Sequence, residues 1–188
     1  MDFEKRKQRA LKGLDKSKKG SIDAKIKKLV DLINSLDDYY TSSSCSGRTL
    51  ILDLPAKGRK KDEARWLYVS HSRADHKKII SSLKKAERHA WLKYEPVILH
   101  ICCRSLESAE KMLRICRQAG MKKAGIISTQ KTVIETFGTE NIEAPIAGKS
   151  SLLVRKSYLK ALIAEANKKH KRNIKAIEKL YRALCTLA

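Results

Sequence analysis

Residues 39–48 read YYTSSSCSGR: four serines, a threonine and a cysteine directly ahead of Gly47 and Arg48. Small hydroxyl side chains donate and accept hydrogen bonds without carrying charge, and glycine admits dihedrals closed to other residues. Such a run can form a polar cradle that lets a ligand approach the main chain, built from Ser44, Cys45, Ser46 and Gly47. Arg48 adds a planar fork matched to a carboxylate or a phosphate. The plainer reading is a loop leading into a strand, its hydroxyls spent on turn geometry.

Three more residues carry chemistry. His71 closes an apolar stretch and precedes Ser72, which is spaced three residues from Asp75 as in a capping box. An imidazole beside a helix N-terminus meets positive potential, which favours the neutral, proton-accepting form. A surface histidine at a strand end is the alternative. His100 interrupts the apolar run VILHICC, where a satisfied core histidine is the ordinary occupant. Glu95 precedes Pro96 and is a solvated carboxylate unless a cation stands opposite.

The charge balance points to a partner. Lys plus Arg number 42 against 20 Asp plus Glu, a formal charge of +22. A chain this basic repels itself unless a polyanion shares the charge, and nucleic acid does so by releasing condensed counterions. The basic clusters include Lys60 and Lys61, Lys122 and Lys123, and Lys168 and Lys169. Each alone reads as a solvated face; together they suit binding to phosphates spread over a wide surface. Trp66, Trp91 and Tyr94 are candidates for stacking on a base or for ordinary packing.

Absences narrow the classes. The five cysteines show neither a C-x-x-C pair nor zinc-type spacing, so no metal site is expected and a reducing, cytoplasmic setting fits. No apolar run is long enough to span a bilayer. The sequence has no G-x-G-x-x-G, no G-x-x-x-x-G-K-[ST] and no H-E-x-x-H, so a nucleotide-like cofactor must bind without a Rossmann phosphate turn.

The elements that must position these groups follow from periodicity. A charged helix is expected over 2–13, and a second from Ser21 with Asp23 in its first turn and a stripe of Ile26, Leu29, Val30 and Ile33. Strands are expected at 49–54, 66–71 and 97–103, the last buried on both faces. A helix should open at Ser72 and run to about Ala90. Ser105 caps another that stops at Gly120. AGIIST and KTVIETF form a hairpin, and one long amphipathic helix, or two joined ones, fills the chain from about residue 157. Helices and strands mix without regular alternation. This predicts an α+β fold, a mostly antiparallel or mixed sheet with helices packed against it, in one domain over 1–188.

Several strings occur together: KGSID (19–23), YYTSSSCSGR (39–48), W-x-x-x-x-H (66–71), EPVILHICCRSLESAEKML (95–113), AGMKKAGI (119–126), and YLKALIAEANKK with Asn173 downstream. In this the chain resembles the tRNA wybutosine-synthesizing protein 3 family, in its archaeal single-domain form. The resemblance implies an S-adenosylmethionine-dependent methyltransferase acting on the N4 nitrogen of a tricyclic guanosine beside the anticodon of phenylalanine tRNA. It implies His71 and Ser44 as catalytic groups. Cys45, Ser46, Gly47, Arg48, Glu95 and His100 would line the cofactor pocket, and the paired lysines would hold tRNA. The competing expectation is a non-catalytic, basic RNA-binding protein.

Overall fold

The computed structural model describes residues 2–12, 21–55, 64–149 and 151–186. Among these the element order is α1 (Phe3–Lys12), α2 (Ala24–Ser35), β1 (Tyr39–Cys45), β2 (Arg48–Leu54), β3 (Arg65–Ser70), α3 (His76–Leu83), β4 (His89–Glu95), β5 (Ile98–Cys103), α4 (Leu106–Gln118), β6 (Lys123–Ser128), β7 (Val133–Phe137), β8 (Ile142–Gly148), β9 (Ser151–Leu152) and α5 (Lys156–Leu184). The fold is α+β, and every strand pair in its two sheets is antiparallel. The chain divides into two compact units, one of Met1–Ser46, Val97–Thr139 and Asn173–Ala188, the other of Gly47–Pro96 and Glu140–Arg172.

The first unit carries a four-stranded sheet in the order β1-β5-β7-β6. Alternation along β5 sends Leu99, Ile101 and Cys103 to one face. There they meet Ile26, Leu29, Val30 and Ile33 of α2, Met112 and Cys116 of α4, and Ile177, Leu180 and Leu184 of α5. Helix α4 begins where Ser105 Oγ accepts the Ser108 N–H, and Ser108 Oγ accepts the Ser105 N–H in return. It ends on Gly120, whose φ of 95° lets Met121 N–H return to Cys116 C=O. On the opposite face, Phe3 of α1 packs on Tyr40, Cys102 and Val133 at one end of the sheet.

The second unit carries a five-stranded sheet in the order β3-β2-β4-β8-β9. Ile51, Leu92 and Ile146 pack with Ile79 and Leu83 of α3 and with Leu159 and Ile163 of α5. Asp53 closes the β4 end by accepting the Glu87 and Arg88 N–H groups, both at 3.0 Å.

Three expectations are corrected. The serine-rich segment is strand β1, not a loop, because its main chain pairs with β5 from Tyr39↔Cys103 to Cys45↔Ile98. The helix expected from Ser72 to Ala90 starts at His76 and ends at Leu83. Asp75, not Ser72, is its N-cap, accepting the Lys78 N–H at 3.1 Å. Residues 89–95 are β4, in which Ala90, Leu92 and Tyr94 alternate inward. The expected helix end at Gly13 lies outside the described residues. No helix among the described residues is long and apolar enough to cross a membrane.

Candidate active site

Because 39–45 is extended, its side chains divide between two faces. Ser43 is in register with His100 and Cys45 with Ile98, on the face away from α2 and α4; Ser44 is in register with Leu99 and projects with the helix-side residues. Ser42 is the extra residue of a bulge between Thr41 and Ser43. Four consecutive polar residues therefore do not converge on one point.

Ser46, just past the strand, is fully buried and braced on every polar atom. Its N–H and Oγ–H both donate to Asp23 Oδ2, at 3.0 and 3.1 Å. Its carbonyl accepts from Asn173 Nδ2 at 2.8 Å, and Asn173 Oδ1 accepts the Val97 N–H at 2.8 Å. One buried amide of α5 thus ties the end of β1 to the residue before β5. Asp23 serves as the extended N-cap residue of α2 while its carboxylate reaches Ser46.

In the second unit, Gly47 takes a φ of 91°, a conformation that glycine adopts without strain. Arg48 and Glu95 are directly opposite in the β2–β4 register, and Arg48 Nε donates to Glu95 Oε2 at 2.8 Å. Glu95 therefore has the opposing cation that would make it more than a solvated carboxylate. The Arg48 guanidinium also lies 4.7 Å from the ring centre of Trp66, whose side chain is otherwise well exposed. His71 follows β3 directly and is half-buried. With α3 starting at His76, the dipole argument made through Ser72 does not apply to it.

His100 is half-exposed, not a core histidine. Its Nε2 lies 2.8 Å from Glu135 Oε2, across the β5–β7 pair where the two residues are in register. The lysines differ among themselves. Lys122 and Lys123 are exposed, and the Lys123 ammonium sits 5.5 Å from the Phe137 ring centre. Lys168 is exposed beside Glu165, whereas Lys169 bonds Glu140 at 3.0 Å and is largely covered. Arg172 binds the same Glu140 and also Glu165, and it holds both carboxyls below the usual carboxylate range. Lys60 and Lys61 lie outside the described residues. Burial pushes the Tyr39 and Tyr40 phenols up to about 12, the Cys103 thiol up to about 12 and the Cys116 thiol up to about 11. None of these four groups ionises near neutrality.

Sequence reasoning missed Glu135 and the brace of Asp23. Glu135 had a signal: it occupies an alternating position of the KTVIETF strand, two residues from Val133 and Phe137. Asp23 had none, since a carboxylate in the first turn of a helix satisfies local rules without a distant partner.

An α+β architecture of antiparallel sheets without a glycine-rich phosphate turn is a fold outside the Rossmann class of cofactor-binding proteins. The family described as Methyltransferase TYW3 matches residues 5–186, and the chain belongs to that family. It is 33% identical to the tRNA(Phe) 7-((3-amino-3-carboxypropyl)-4-demethylwyosine(37)-N(4))-methyltransferase of Archaeoglobus fulgidus, over 100% of this chain and 95% of that one. The Methanocaldococcus jannaschii protein of the same name is 35% identical over 92% and 91% of the two chains. The human tRNA wybutosine-synthesizing protein 3 homolog is 36% identical over 97% of this chain and 72% of its own length. Among solved structures, the PH1069 protein from Pyrococcus horikoshii superposes with a TM-score of 0.89 at 29% identity, covering 97% of this chain and 96% of that one.

Proposed function

We propose that this protein transfers the methyl group of S-adenosylmethionine to the N4 nitrogen of the tricyclic wyosine-precursor guanosine next to the anticodon of tRNA(Phe). The observation that carries the reading is the near end-to-end match to two archaeal relatives named for that reaction, within a methyltransferase family. The basic surface agrees with a tRNA substrate: the chain carries +22, and Lys122, Lys123 and Lys168 stand exposed for phosphates. The reaction belongs in the cytoplasm with its substrate, and it is expected to need both units, since the family match runs through both.

The sulfonium supplies an already activated methyl group. The nitrogen's electron pair forms the new C–N bond as the C–S bond breaks; sulfur leaves as a neutral thioether and the nitrogen gives up its proton. The residues' task is therefore alignment, exclusion of water and acceptance of that proton. In this reading His71 accepts the proton and Ser44 orients the acceptor nucleoside. Cys45, Ser46, Gly47, Arg48, Glu95 and His100 form the cofactor region, with Ser46 acting as a main-chain brace. Arg48, fixed by Glu95 and Trp66, keeps a cationic edge for the cofactor carboxylate or a phosphate.

The test is methyl transfer from labelled S-adenosylmethionine to tRNA(Phe) bearing the precursor base, with wild type, His71→Ala and Ser44→Ala. Transfer by wild type with losses of about a hundredfold or more in the variants is expected. Undiminished transfer in both variants removes the catalytic assignment, and no transfer by wild type removes the activity.

A further inference from the structure

Both tryptophans of the chain, Trp66 and Trp91, fall in one row across the second unit's sheet. Leu52 of β2 is in register with Trp66 of β3 on one side and with Trp91 of β4 on the other, and Trp91 is in register with Pro145 of β8. Residues directly opposite on antiparallel strands share a face, and this face is the one turned away from Ile51, Leu92 and the helices packed on them. Bulges flank the row on both sides. In β3 the extra residue is Leu67, which packs against the core with Tyr68 and leaves Trp66 outward. In β8 it is Ile146, which is fully buried and leaves Pro145 outward. Without the two shifts, Leu67 and Ile146 would stand where Trp66 and Pro145 do. A bulge re-aims a side chain in this way and is over-represented next to functional sites.

The row is open and uncharged. Trp66 is 44% exposed, and Val69, next to it on the same face, is 41% exposed. Pro145 is exposed, while Leu52 and Trp91 are half-buried. The Arg48 guanidinium, 4.7 Å from the Trp66 ring centre, holds that ring in place. The cations of the neighbouring rows are matched by carboxylates, Arg48 by Glu95 at 2.8 Å and Lys93 by Glu143 at 2.6 Å. On a chain of +22 this face is therefore close to neutral. A phosphate gains little over such a row. An aromatic base gains a stacking surface, because every nucleobase has a π-face. Trp66 and Trp91 are two strand spacings apart, about 10 Å, which leaves room for a base over each ring with Leu52 as the floor between them. The charge of the whole chain disfavours a second copy as the occupant. Tyr94 takes no part, since it is buried on the opposite face.

We propose that this row is a stacking platform for unpaired bases of the tRNA, those on the strand beside the target guanosine. Proteins hold single-stranded loops by splaying their bases onto aromatic side chains, and a sheet face is a rigid support for them. Arg48 and Glu95 stand on the same face of β2 and β4, so the platform runs up to that ion pair within this unit. The inference rests on the tRNA reading above and adds the surface that holds bases, as distinct from the lysines that hold phosphates.

Because the chain has no third tryptophan, its intrinsic fluorescence reads the row directly. The full chain is titrated with tRNA(Phe), with an oligoadenylate and with an abasic ribose-phosphate chain of the same length. The tRNA and the oligoadenylate are expected to quench the fluorescence. The abasic chain, equal in charge, should bind at least about tenfold more weakly than the oligoadenylate and should not quench. Trp66→Ala should weaken tRNA(Phe) binding by about tenfold to a hundredfold while the slope of log affinity against log salt stays unchanged, and Trp66→Phe should retain most of the affinity. Failure of wild type to bind tRNA(Phe) overturns the tRNA reading itself and the platform with it. Binding of tRNA(Phe) without quenching, equal affinity for the abasic chain and the oligoadenylate, unchanged affinity in Trp66→Ala, or a loss accompanied by a smaller salt slope each overturns the platform alone. So does a wild-type dimer in sedimentation equilibrium that Trp66→Ala dissociates, since a second copy would then cover the row.

Discussion

Replacing Asn173 with alanine should destabilise the protein by about 3–4 kcal/mol. The amide is almost wholly buried, and its removal leaves the Val97 N–H and the Ser46 C=O without their partners at 2.8 Å, both in residues with no exposure. An orphaned buried donor or acceptor costs about 1–3 kcal/mol, the donor being the dearer because carbonyls tolerate incomplete satisfaction. For a chain of this length about 1 kcal/mol moves Tm by about 2–4 °C, so a fall of about 10 °C is expected. Asn173→Asp separates the two bonds. One carboxylate oxygen can still accept from Val97 N–H, but the other meets the Ser46 carbonyl, and the charge is desolvated. It should be at least as damaging as alanine. Calorimetric Tm and denaturant midpoints on wild type and both variants decide it. A loss under about 1 kcal/mol for alanine, or a stable aspartate variant, would refute the accounting by which one amide supports both segments.

Glu140 accepts from Arg172 and Lys169, and its folded-state pKa is lowered chiefly by the Arg172 hydrogen bond. Its contribution is therefore present above the unfolded carboxylate range and lost as pH falls through the folded value; Glu140→Gln should lower Tm at pH 7, and its difference from wild type should shrink as the pH is lowered through the acid range. With a thiol-alkylating reagent at about pH 8, exposed Cys185 should label in the native protein. Cys103 and Cys116, buried and with their thiols pushed up to about 12 and about 11, should label only after unfolding, as peptide mass mapping would show. Changing Lys122 and Lys123 together to serine should weaken tRNA binding across sequences. The slope of log affinity against log salt should fall in magnitude by about 0.9 for each phosphate these lysines neutralise, and an unchanged slope would exclude them from the interface.

How much of this was legible depended on whether local pattern and tertiary pairing agreed. Helices α2 and α4 showed their apolar stripes, Ser105 its cap and Gly120 its stop; the β6–β7 hairpin and the long α5 likewise stood out. Strand β1 was hidden because hydroxyl side chains have little to bury, and its extended form is decided by the β5 backbone opposite. Strand β4 was hidden by Lys84, Lys85, Glu87 and Arg88 just ahead of it, which mimic a helix surface, although Ala90, Leu92 and Tyr94 already alternate. Strand β8 contains Pro145, ordinarily an argument against a strand, and tolerates it beside a register shift opposite Trp91. Within the site, the types of His100 and Glu95 drew attention from the start, but their partners Glu135 and Arg48 are supplied by register, which no single sequence displays.

Helix α5 contributes Leu159 and Ile163 to the core of one unit and Ile177, Leu180 and Leu184 to that of the other. The first unit is therefore made of three stretches of chain, and the latest of them holds a share of its interior. A nascent chain on the ribosome has both of this unit's earlier stretches in hand well before residues 173–184 emerge, and until then its sheet faces water where α5 will lie. Folding of that unit is tied to synthesis of its final turns, so the chain spends its wait with apolar strands uncovered and within reach of chaperones.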